Sequence, residues 1–225
     1  DDKEMVRARK DFLSAGYYHH LCQALEDLAD RYTGQCPVVV DSGCGEGYYT
    51  AGIFNRLTAA KKKPTIAGVD LSKFALRWAA KRQREIEFAV ASAYHLPIAD
   101  QQADLFLNCF SPLALDEVRR VLKPGGTFLY VVPAARHLWE LKEVLYEYPY
   151  LNAEERTPYE GFRYQEVQRV EKTIHLPDQQ SIQDLFRMTP YCWKTPGKGK
   201  AQLEQLTQLD VQTQFDIHVF TREEE

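Results

Sequence analysis

Three glycines at alternate positions, Gly43, Gly45 and Gly47, follow the β-branched run Val38-Val39-Val40 and its terminal carboxylate Asp41, and a helical pattern begins just after them. Strand, glycine loop and helix in that order open a cofactor-binding α/β sheet. The spacing is G-x-G-x-G, whereas a dinucleotide fingerprint needs G-x-G-x-x-G. Asp41 and Glu46 flank the loop. They would repel a diphosphate at the helix N-terminus and attract a cationic ligand. Asp70 ends a second apolar run, 23 positions after Gly47, where an acidic residue accepts hydrogen bonds from ribose hydroxyls. Ser72 takes the neighbouring role of helix N-cap.

The elements that must position these groups follow from periodicity. Apolar residues at helical spacing predict one or two helices over residues 4–31. Strands are expected at 37–42, 65–70, 86–90, 104–109, 127–132, 163–176 and 213–220. Helices are expected at about 46–58, 72–83, 114–122, 136–147 and 178–187, with a tyrosine-rich loop after the long helix and a basic loop before the last strand. Repeated strand–helix order means parallel βαβ units with a ligand site at the carboxyl ends of the strands. The expected fold is therefore α/β and Rossmann-like, with a seven-stranded, mostly parallel sheet. A helical segment (1–34) would precede a main domain (35–225).

Composition narrows the partners. The 225 residues are 44% hydrophobic and 12% aromatic, enough for a packed core. The five cysteines are scattered without a C-x-x-C pair, which leaves no zinc ribbon or disulfide framework and no metal site, and favours a reduced, cytoplasmic setting. No apolar run reaches membrane-spanning length. A net charge of −4 leaves no basic footprint of the kind nucleic-acid binders usually carry. The chain opens Asp1-Asp2-Lys3, and an upstream segment is expected.

The segment Asp41-Ser42-Gly43-Cys44-Gly45-Glu46-Gly47 resembles motif I of the class I S-adenosylmethionine (SAM) methyltransferases, whose cofactor carries an ammonium and a sulfonium. The resemblance puts Asp41, Gly43, Gly45, Glu46, Gly47, Tyr48, Tyr49, Asp70 and Leu71 around SAM. Ala91-Ser92-Ala93-Tyr94-His95-Leu96-Pro97 is similar to the adenine-side loop of that fold, with Ser92 in place of the usual acid, so Ser92, Ala93 and His95 join the set. Glu117 through Gly126 match the E-x-x-R-V-L-K-P-G-G segment that leads into strand five. The fourth strand ends Asn108-Cys109-Phe110-Ser111, where the fold faces the transferred methyl group. It lacks the N-P-P-Y of enzymes that methylate adenine amino groups. Asn108 is assigned to the cofactor, and Cys109 is taken as a buried strand residue.

Four further blocks resemble the RlmA family, bacterial methyltransferases acting on N1 of a guanine in a 23S rRNA hairpin. They are residues 8–18 (Ala8 to Tyr18), Pro133-Ala134-Ala135-Arg136-His137-Leu138-Trp139-Glu140-Leu141-Lys142, Met188-Thr189-Pro190-Tyr191-Cys192-Trp193, and Phe215-Asp216-Ile217-His218. The resemblance implies a 23S rRNA partner, a zinc ribbon only in a segment N-terminal to this chain, and macrolide resistance in one branch. A homodimer is among the assemblies it allows. Guanine N1 carries a proton, so its methylation needs a base or a group stabilising charge on O6. Arg136 is expected to stabilise O6 or clamp a phosphate, and His137 to accept the proton or contact the base. Tyr191 and Trp193 are expected to stack the extruded guanine. The alternatives are a methyltransferase of a small metabolite and a SAM-binding protein without catalysis. An open cleft rimmed by Arg7, Arg9, Arg136, Lys194, Lys198 and Lys200 would favour RNA.

Overall fold

The computed structural model describes residues 2–154 and 159–224; residues 155–158 of the tyrosine-rich loop lie outside them. Two helices come first, α1 (Lys3–Ser14) and α2 (His19–Tyr32). Alternation follows: β1 (Val38–Ser42), α3 (Tyr48–Ala59), β2 (Thr65–Asp70), α4 (Lys73–Arg82), β3 (Glu87–Val90), β4 (Ala103–Cys109), α5 (Leu115–Val121) and β5 (Leu122–Pro133). The chain ends with α6 (Trp139–Leu145), β6 (Phe162–Leu176), α7 (Gln179–Arg187), α8 (Tyr191–Lys194), α9 (Gly197–Glu204) and β7 (Leu209–Arg222).

The seven strands lie in the order β3-β2-β1-β4-β5-β7-β6. The first five are parallel, with Val40 opposite both Ala67 and Phe106. The last two run the other way. Ala134 N donates to Gln214 O (2.8 Å), Leu138 N to Gln212 O (2.8 Å), and Arg222 to Leu122 O, so β7 descends as β5 ascends. Thr213 Oγ1 meets Lys172 O at 2.7 Å and Glu223 N meets Gly161 O at 2.9 Å, which makes β6 and β7 antiparallel too. The result is a seven-stranded, mostly parallel mixed sheet, as the strand pattern predicts.

Three expectations change. Helix 136–147 contracts to α6, because Leu138 sits at φ 57° and breaks the helical run before Trp139. The basic loop after α7 is instead two short helices, α8 and α9. The Pro-Gly-Gly turn does not precede β5 but bulges from it: Ala103 pairs with Leu122 and Leu105 with Thr127, so residues 123–126 loop out.

The chain also forms two compact units that do not follow the boundary expected at residue 34. The first contains residues 1–20, 133–155 and 169–215, and the second residues 21–132, 156–168 and 216–225. A linear boundary fails because α1 packs on α7 and α6 on α9, partners far apart in sequence. The second unit holds a core of Val40, Val69, Phe106, Val118, Leu122, Phe128, Phe162 and Phe220. Phe128 is its centre, with ring centroids of Phe106, Phe162 and Phe220 at 5.9, 5.8 and 5.7 Å.

Arg120 pins the loop after β3 to α5. It donates to Ile98 O (2.7 Å), Leu96 O (3.1 Å) and Glu117 (2.6 Å). Glu117 in turn accepts from Leu96 N at 2.7 Å. The Arg120 bond is the main reason the Glu117 carboxyl is held down at about 2. Arg120→Ala strands two carbonyls and a carboxylate. The expected cost is roughly 2 kcal/mol, or a Tm roughly 4–8 °C lower, read by thermal unfolding; an unchanged Tm would exclude this clamp.

Candidate active site

The cofactor residues predicted from sequence lie in the second unit, at or just after the carboxyl ends of β1, β2, β3 and β4. Gly43 N and Cys44 N both donate to Val69 O (2.7 and 3.1 Å), which ties the glycine loop to β2. Gly43, Gly45 and Gly47 have φ of 80°, 56° and 76°, the left-handed region that side chains disfavour. At Gly47 a Cβ would lie 2.9 Å from Ala79 Cβ, so glycine there lets α4 approach the loop.

Asp41 is buried, and Thr50 Oγ1 donates to its Oδ2 at 2.6 Å. Its other oxygen, Oδ1, is buried and has no partner among the described residues; the same holds for Asn108 Oδ1. Ser42 and Asn108 face each other across the β1–β4 ladder, so the two orphan acceptors belong to adjacent strand ends. Burial raises the Asp41 carboxyl to about 7, against the Thr50 bond, with Asp70 and Glu46 pushing the same way as burial. Two unpartnered acceptors in a field of carboxylates fit a ligand with an ammonium group.

Asp70 Oδ2 accepts from Gly45 N (2.9 Å) and Oδ1 from Ser72 N (2.7 Å). A carboxylate offers about four acceptor positions, so two remain for ribose hydroxyls. Leu71 beside it is 71% exposed, an apolar surface suited to an adenine face. Ser72 caps α4 through a bond from Ala75 N. Arg82 braces the other side of the loop: its Nε donates to Glu46 O at 3.2 Å and its guanidinium lies 5.5 Å from the Tyr48 ring. Tyr48 and Tyr49 meet edge to face at 5.2 Å. Ser92 Oγ accepts from Tyr94 N (3.2 Å) and shapes its own turn, Ala93 is half-buried, and His95 is exposed.

Two residues that sequence reading missed complete this region. Thr50 is the partner of Asp41, and Ser111 Oγ donates to Ser42 O at 2.7 Å, fastening the β4 end to β1. Thr50 is in the first turn of α3, nine positions after Asp41, a spacing that a search for carboxylate partners would have found. Phe110 between them in chain order has φ 56° and is 47% exposed, strain retained at the functional edge. Cys109 is buried, and burial pushes its thiol well up, which disfavours the thiolate needed of a nucleophile.

The residues expected to meet the substrate all lie in the first unit. Arg136 is exposed and its guanidinium lies 5.0 Å from the Trp139 ring. Trp193 is 69% exposed on α8. Tyr191 is half-buried, edge-on to Tyr146 at 6.2 Å, and burial raises its hydroxyl pKa. Arg7, Lys194, Lys198 and Lys200 are exposed in the same unit and Arg9 is half-buried.

His137 corrects an expectation. It is buried, its Nδ1 accepts from Gln214 N (3.1 Å), and its ring packs on Phe215 at 4.5 Å and Tyr18 at 6.3 Å. Burial lowers its pKa to about 3. With Nδ1 engaged by a backbone donor, the proton sits on Nε2 and the ring is an interior hydrogen-bonding residue, not a proton acceptor.

Among known proteins, the family described as "Methyltransferase domain" matches residues 40–130. "Putative 23S rRNA (guanine-N(1)-)-methyltransferase YxjB" of Bacillus subtilis is 31% identical over 224 residues, covering 95% of this chain and 78% of that protein. The 23S rRNA (guanine(748)-N(1))-methyltransferase of Streptomyces fradiae is 37% identical over 150 residues. That match covers 64% of this chain and about half (51%) of that protein. In fold, the chain is similar to the YcgJ protein of Bacillus subtilis, with a TM-score of 0.63 at 18% identity, over 92% of this chain and 100% of that one.

Proposed function

Because this chain belongs to the family of 23S rRNA (guanine-N1-)-methyltransferases, we propose that it transfers a methyl group from SAM to N1 of a guanine in a 23S rRNA hairpin. One observation carries the reading. The generic methyltransferase match stops at residue 130, whereas the B. subtilis similarity runs over 95% of the chain and so through the first unit.

In this reading the second unit holds the cofactor. Asp41 and Asn108 receive its ammonium end, Asp70 its ribose, and Leu71, Ala93 and His95 its adenine, while the turn made by Ser92 and the packing of Glu46, Tyr48 and Tyr49 keep the loop in shape. Bound SAM supplies an electrophilic methyl group. The first unit receives the RNA. Trp193 stacks an unpaired base, with Tyr191 behind it, because every base has a π-face and stacking needs no hydrogen-bond match. The Arg136 guanidinium stabilises charge on O6 as the N1 proton leaves to water and N1 takes the methyl carbon from the sulfonium sulfur. The exposed lysines of α8 and α9 neutralise phosphates. Such work belongs in the cytoplasm, where ribosomes are made.

The deciding experiment incubates the protein with labelled SAM and an unmethylated 23S rRNA hairpin and maps the product by mass spectrometry. A methyl on guanine N1 is expected; label only in small molecules, or none in RNA, would sink the proposal. In the same assay Trp193→Ala is expected to leave SAM affinity within about twofold and to lower hairpin turnover roughly tenfold or more, the worth of one stacked base. Equal loss of both would misplace Trp193.

A further inference from the structure

α6 carries a lysine inside the first unit. Lys142 is 0% exposed, and no carboxylate pairs with it among the described residues. A buried charge without a counter-ion is costly, and its partners show what the cost serves. Nζ donates to Tyr150 O (2.9 Å) and to Asn152 Oδ1 (2.8 Å). It also lies 4.6 Å from the Tyr150 ring centroid and 5.8 Å from that of Tyr191. Burial lowers its pKa, as expected of an ammonium held by neutral acceptors and π-faces.

Asn152 passes the constraint on. Its Nδ2 donates to Ala134 O (2.9 Å) and its backbone N to Ala135 O (2.9 Å), immediately before Arg136. Arg136 N is itself held by Gln214 Oε1 at 3.0 Å. One ammonium thus connects three segments: the turn bearing Arg136, the Tyr148–Tyr150 loop, and the helix bearing Tyr191 and Trp193. The Tyr146 hydroxyl, buried and without a partner among the described residues, belongs to the same cluster, with its ring 6.0 Å from Tyr150.

We propose that Lys142 is a positioning residue for methyl transfer: its ammonium fixes the Arg136 turn and the Tyr191–Trp193 helix in the arrangement that receives the RNA base. The role rests on the reading of the first unit as the RNA-receiving part. It acts through other residues, so Lys142 touches neither base nor cofactor.

The test compares wild type with Lys142→Met, which keeps the apolar stem and removes the charge, and Asn152→Ala, which keeps the charge and removes an acceptor. For Lys142→Met we expect SAM affinity within twofold of wild type and the hairpin KM raised at least tenfold. Lys142→Arg should restore part of it, and Asn152→Ala should show the same direction at smaller size. Hydrogen exchange should quicken at least tenfold at residues 134–136 and 146–154, with β1 and α3 unchanged. A hairpin KM within twofold of wild type in both variants, or loss of SAM binding in parallel with RNA turnover, would overturn the role. If Lys142→Met does not fold, Asn152→Ala decides by the same two readouts. Absence of hairpin methylation by wild type would overturn the RNA reading instead, and exchange in the free protein would still decide whether Lys142 holds these segments.

Discussion

Gly43→Ala is expected to weaken SAM binding roughly a hundredfold, a loss of about 3 kcal/mol, and to lower Tm at the same time. Two costs combine. The backbone at φ 80° disfavours any side chain, and the added Cβ would stand 2.3 Å from Ser111 Cβ and 2.6 Å from Ser111 Oγ. Strain of this kind costs about 1–3 kcal/mol, and overpacking costs a similar amount. Ser111 cannot yield cheaply, because its hydroxyl holds Ser42 O at 2.7 Å and so fixes the end of β1 beside Asp41. Ser111→Gly removes the collision but also the bond to Ser42 O, so the cycle is read against it: Gly43→Ala should cost about half as much SAM binding energy in the Ser111→Gly background as in wild type, by titration calorimetry. Gly34→Ala, where an added Cβ meets nothing within 4 Å, is the control and should bind as wild type. SAM affinity within threefold of wild type for Gly43→Ala would refute the close-packed loop.

The second large effect is one of pH. Burial holds the Asp41 carboxyl at about 7, far above an exposed carboxylate. A cation beside it favours the ionised form, so binding must expel the proton wherever the free site is protonated. SAM affinity should therefore rise with pH up to about 7, by at most tenfold per unit, and then level off. Folding stability of the free protein runs the other way. Between roughly pH 4 and about 7 the folded state holds a proton that the unfolded chain has lost, so this group's contribution falls as pH rises through that window. Asp41→Asn removes the titration. It should flatten the affinity profile between pH 5.5 and 7.5, lower affinity at pH 7.5 by roughly tenfold or more, and raise the stability of the free protein at neutral pH. A wild-type affinity profile that is already flat would show that Asp41 does not meet the cation.

The chain order of strands, the glycine loop and the acid ending β2 were legible in the residues because they depend on neighbours. A β-branched run pairs wherever it is buried, three glycines at positive φ make their own turn, and Ser72 caps α4 through the amide of Ala75, three residues on. The Pro-Gly-Gly segment was legible as a turn but not as a bulge, since only pairing with β4 shows that β5 has already begun at Leu122. Family likeness led to the expectation that Arg136, His137, Tyr191 and Trp193 meet the substrate, but could not tell exposed Arg136 from buried His137, one residue away. That distinction depends on Gln214 and Phe215, nearly eighty positions later, which enclose the His137 ring. The same holds for β7, the last strand in sequence yet between β5 and β6 in the sheet, and for Lys142, polar by composition and wholly buried. The order of strand, glycine turn and helix is set by residue types a few positions apart, and the sequence alone determined it. Burial, and with it charge state and availability for chemistry, is set by contacts between distant segments, and only the tertiary structure decided it.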